Sequence, residues 1–167
     1  MSLVTTRAWP AAGAAALLLT ASAALPSTAA GAARAPLAVF NCAGSISVDV
    51  YPVTGAVNGK SGSDFRCATP DQSFPATLTI SGSVTGSSDL FFTTRTTDSL
   101  KRTDTGQVTK FSIDRRFDRD NSGTSGNATE RGSSSQANDS GTGLFGPGPV
   151  GATNFVIYKN YMLDVHT

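Results

Sequence analysis

The two cysteines of the chain, Cys42 and Cys67, bracket its clearest strand pattern. Between them, Ser45-Ile46-Ser47-Val48-Asp49-Val50-Tyr51 alternates without a break, with Ile46, Val48 and Val50 on one face and Ser47, Asp49 and Tyr51 on the other. A period of two is the mark of an extended strand with one buried face. A disulfide between Cys42 and Cys67 would clamp this strand to whatever follows it. Closing a loop of that length removes unfolded-chain entropy worth about 3.5 kcal/mol. Two cysteines in an exported chain are expected to pair.

Export is expected from residues 1–35. Arg7 gives a positive start, an apolar run extends from Ala11 through Leu25, and small residues follow at Ala30-Gly31-Ala32 and Ala33-Arg34-Ala35. These are the three parts of a secretory signal peptide. The apolar run is too short and too rich in alanine for a membrane span, which wants roughly 20 strongly apolar residues. The expectation is a secreted, extracellular protein with no span once the leader is removed. Residues 36–167 then form one domain, large enough for a modest core.

Setting aside Arg7 and Arg34 from the 13 basic residues leaves 11 against 12 acidic ones, a net of about −1. A near-neutral domain has no bulk attraction toward nucleic acid or an anionic membrane.

Strands are expected over 37–40, 45–53, 76–81, 90–96, 108–117 and 154–165, with no 3.6-residue period anywhere in the domain. About six short strands separated by turn residues predict an all-β fold, a small antiparallel β-sandwich or barrel. Within 108–117, Phe111, Ile113, Arg115 and Phe117 share one face. Arg115 is expected to pack its stem on the core and hold its head at the rim. In 154–165 apolar residues occupy both faces, which predicts a central strand covered on two sides. Residues 121–151 are rich in Ser, Gly and Asn and nearly free of apolar residues before Leu144-Phe145. Such a run buries too little to offset its ordering entropy and is expected as one long mobile loop.

One motif suggests a metal. Asp118-Arg119-Asp120-Asn121-Ser122-Gly123 resembles the start of a calcium loop, in which oxygens at alternate positions converge and a glycine permits the turn. Asp118, Asp120, Ser122 and the carbonyl of Thr124 would supply part of the shell. The twelfth position is Thr129, with Glu130 one residue late, so aspartates and glycine serving turn geometry compete with that reading.

Catalytic signals are sparse. The lone histidine, His166, sits beside the C-terminus, where a general base is poorly held. Zinc chemistry would need several His or Cys ligands. A carboxylate pair for hydrolysis, Asp118 with Asp120, is formally open. For binding, residues 36–167 contain no tryptophan and three tyrosines, Tyr51, Tyr158 and Tyr161. Leu144-Phe145 either staples its loop to the core or faces a partner, and Asn127 and Asn138 open glycosylation-type acceptor sequences.

The combined expectation is a non-catalytic, disulfide-containing module that binds an extracellular protein or a cell-surface ligand and uses no cofactor. A calcium-stabilised domain is the alternative, and a small secreted hydrolase using acidic residues the second.

Overall fold

In the computed structural model, which describes residues 39–166, the alternation around Ile46 belongs to a strand longer than expected, β1 (Val39–Val50). The leader expected over 1–35 lies outside the described residues. Eight more strands follow: β2 (Ala56–Ser61), β3 (Arg66–Ala68), β4 (Ser73–Ser87), β5 (Phe91–Arg102), β6 (Val108–Arg119), β7 (Gly126–Ser133), β8 (Ala137–Pro147) and β9 (Thr153–His166). All pairings are antiparallel.

From β4 to β9 each strand pairs with the next, and β9 returns to pair with β1 along nearly its full length. Between β1 and β4 the wall is filled in two pieces. β2 faces Ile46 to Val50, while β3 faces Asn41 to Ala43. The result is a closed eight-position barrel carrying one extra strand, an arrangement that leaves no free sheet edge.

The disulfide forms. Cys42 and Cys67 are directly opposite partners on β1 and β3, and their sulfurs are bonded. Beside this bridge, Gly44 (φ 152°) carries a register shift, and a Cβ there would meet the Phe65 backbone at 2.6 Å. Only glycine lets the two chains approach that closely.

Alternation sorts the interior. Phe92, Phe117 and Phe145 gather around Phe155, with ring centroids 4.8–6.3 Å from it. Phe40 meets Phe74 edge-on at 5.7 Å. On β9 the inward row is Phe155, Ile157, Tyr161, Leu163 and Val165, as the sequence predicts. Lys159 falls on the same parity, but a bulge with φ 59° at that residue keeps it exposed.

Four expectations are corrected. The strand count is eight positions and nine strands rather than about six. Residues 121–151 are not one mobile loop, because they contain the whole of β7 and β8. Their inward positions alternate, but in Ala128, Glu130, Gly132, Ala137 and Asp139, which no search for apolar periodicity detects. The second face of β9 is not covered, since Tyr158 and Met162 are exposed on the outside of the barrel. Arg115 does not reach the rim. It is 2% exposed, for reasons that lie in its partners.

Candidate functional site

Two places in the barrel concentrate charge, one inside and one on the outer wall. The inner one is built on Arg115. Its stem enters from β6, and its guanidinium donates to both oxygens of Asp98 on β5, Nη2 to Oδ2 at 2.5 Å and Nη1 to Oδ1 at 3.1 Å. Nη1 also donates to Thr96 Oγ1 at 2.5 Å, and Thr96 donates to Asp98 at 2.8 Å. On the opposite side Nε donates to Asp139 Oδ2 of β8 at 2.7 Å, and the Tyr161 hydroxyl of β9 donates to the same oxygen at 2.6 Å. Glu130 of β7 completes the group, its Oε1 3.4 Å from Arg115 Nε.

One guanidinium therefore faces three carboxyl groups, and all four side chains are fully shielded from solvent. Isolated buried charge is prohibitive, so such groups pair or neutralise. Burial works against the Arg115 cation, but Asp139, Tyr161 and Asp98 outweigh it and hold its pKa well above the usual value. Glu130 takes the other course. Burial, then the Asp139 charge and a hydrogen bond to Asp139, raise its pKa well above that of an ordinary glutamate. Burial and the Asp139 charge likewise raise Tyr161.

Space for this group comes from Gly132 on β7. A Cβ there would lie 2.2 Å from Asp139 Oδ1 and 2.9 Å from Arg115 Cγ. The inward parity of β5 (Phe92, Thr94, Thr96, Asp98, Leu100) carried a readable signal in Asp98, an acid on the core face of an apolar row. Glu130 and Asp139 had no such flag, since β7 and β8 lack the apolar period, and Tyr161 was legible on the inward row of β9 only as one more large side chain.

The outer site is a groove of about 930 Å³ across β4 to β7. Its floor is the outward parity of these strands, chiefly Thr93 and Arg95 of β5, Asp114 and Arg116 of β6, and Thr129 and Arg131 of β7. Arg95 grips Asp114 through two bonds of 2.7 and 2.9 Å. That pairing raises the pKa of Arg95 and lowers that of Asp114. Arg116 donates Nε to Asp118 at 2.7 Å and lies 4.0 Å over the Phe91 ring. Three outward-facing arginines, Arg95, Arg116 and Arg131, meet two aspartates, Asp114 and Asp118, in this groove.

The expected calcium ligands fall at its edge. Asp118 is engaged by Arg116, and Asp120 accepts from the side-chain amides of Asn121 and Asn127 at 2.7 and 2.8 Å. Ser122 and Thr124 lie exposed in the β6–β7 turn. Among the described residues, no three His, Cys, Asp or Glu side chains gather at metal-binding spacing. Elsewhere, the Leu144-Phe145 pair is split by strand alternation: Phe145 is in the core and Leu144 is half exposed. His166 stands alone near Asn138, 3.4 Å away.

No known family, curated protein or solved structure matches this chain.

Proposed function

We propose that this disulfide-linked barrel is an exported module that acts by binding, through the outer groove of β4 to β7, and not by catalysis. The observation that carries this reading is a division of labour in the charged residues. The acid–base constellation is sealed inside, its charged members facing one another and shielded from solvent, which suits a core that fixes strand register. The groove, by contrast, is open. Although Arg95 is held by Asp114 and Arg116 Nε by Asp118, the terminal nitrogens of Arg116 and the whole Arg131 guanidinium have no partner among the described residues.

Export is supported by the signal-peptide pattern of residues 1–35 and by the cystine, a bond that persists in oxidising compartments.

The test is retention on the surface of the producing cells and on an array of extracellular glycans, with Thr129→Trp and Ser133→Trp filling the groove. Mass spectrometry of the secreted product checks leader removal and the oxidised cysteines. Retention that survives both tryptophan variants, or no retention at all, would overturn the groove as the working surface.

A further inference from the structure

Arg116 and Arg131 are direct cross-strand partners on β6 and β7, both exposed on the outer wall. Like charges placed directly opposite destabilise a strand pair, so this juxtaposition works against the fold. The cost falls when an anion lies between the two side chains. Arg116 commits one nitrogen to Asp118, and its two terminal nitrogens have no partner among the described residues. Arg131 has neither an ion pair nor a side-chain hydrogen bond among the described residues. Free, planar guanidinium groups side by side are suited to bidentate capture of oxyanions.

The surroundings narrow the ligand. The same transverse row continues to Thr93 on one side of Arg116 and to Ser140 beyond Arg131. Four residues on adjacent strands span about 14 Å at the spacing of a sheet, a track suited to an extended chain. Asp114 does not oppose an anion strongly, because Arg95 already neutralises it. The row offers hydroxyls and guanidinium groups but no apolar side chain to anchor a peptide, and the neighbouring Phe91 ring, opposite Asp118, lies under Arg116.

We infer that this row binds an acidic polysaccharide, with Arg116 and Arg131 clasping its carboxylate or sulfate groups and Thr93 and Ser140 meeting its hydroxyls. The inference rests on the groove being the binding face and adds the chemistry of what it holds.

Calorimetric titration of the full secreted protein with polygalacturonate, dextran sulfate and neutral dextran tests it. Binding to at least one polyanion and none to dextran is expected, the preferred polymer naming the group as carboxylate or sulfate. Arg116→Gln and Arg131→Gln should each weaken that binding about tenfold, while Arg131→Gln, which relieves the like-charge pair, should melt no lower than the parent. Lys60→Gln, on the outer face of β2, removes the same charge elsewhere and should leave affinity unaltered. Equal weakening by Lys60→Gln would reduce the effect to overall charge and overturn the site. Failure of both polyanions would overturn the inference. If a neutral glycan were then retained and Thr129→Trp abolished that retention, the groove would stand as a binding face with a different ligand.

Discussion

Glu130 lies 3.4 Å from the Arg115 guanidinium, yet neither of its carboxyl oxygens has a hydrogen-bond partner in the ionised state among the described residues. Asp139 Oδ1 is unpartnered as well. A proton on Glu130 gives one of its oxygens a donor role toward Asp139 and leaves a single Glu130 oxygen without a hydrogen bond. The raised pKa and the orphaned oxygens are thus one fact seen twice.

The pH dependence has a definite sign. Because the folded-state pKa of Glu130 is raised, its contribution is fully present below the ordinary carboxyl range, about pH 4, and is lost as pH rises through the folded value. Glu130→Gln keeps a donor for Asp139 and cannot ionise. Melting curves from pH 5 to 9 should show the parent losing stability relative to the variant as pH rises. Parallel curves would refute the protonated assignment.

Arg115→Met leaves Asp98 and Asp139 buried without their cation. A loss of about 3–5 kcal/mol is expected from urea unfolding. Adding Asp98→Asn and Asp139→Asn to the same protein should restore part of it, since the surviving groups are then neutral. A single variant as stable as the parent would mean that the cluster is hydrated and only loosely coupled.

Gly132→Ala tests the room left for that cluster. The added methyl group meets a hydrogen-bonded aspartate and the Arg115 stem, so unfolding free energy should drop by about 1–3 kcal/mol. The same change at Gly146, where nothing lies within 4 Å of an added Cβ, should be nearly silent.

Replacing both Cys42 and Cys67 with serine should lower stability by about 2–4 kcal/mol, measured by denaturant titration. The bridge joins strands already paired in register, so the variant is expected to retain its β circular-dichroism spectrum.

Millimolar calcium should leave the melting temperature unchanged. Asp118 is committed to Arg116, and Asp120 to two asparagine amides, so binding would have to displace these contacts. A ligand that binds only the folded state must raise stability. A clear rise would restore the Asp118–Thr124 turn as a metal site.

The fold class was legible where inward positions are large and apolar. Ile46, Val48 and Val50 announced β1, while Phe111, Ile113 and Phe117 announced β6. It failed where the same parity is written in glycine, alanine and acids. β7 and β8 turn Ala128, Glu130, Gly132 and Asp139 inward, and their polarity mimics a disordered tract because the compensating arginine sits on another strand. Arg115 supplied half of that information. Its position on an apolar face was visible, but its three carboxyl partners come from three different strands, and pairing across a barrel wall is not encoded locally. The groove was hidden for a related reason. Arg116 and Arg131 become neighbours only through a register fixed by the inward faces of their strands.

The pairing of β1 with β9 joins the first and last strands of the described chain, Val39 opposite His166. This seam has the greatest sequence separation in the wall, so the cylinder cannot be sealed until the final strand is present, and closure should come late in folding. It also sets the two strand ends side by side. A short linker there, with new ends cut in the exposed Thr103–Gln107 turn, should give a circular permutant that keeps the same wall and groove.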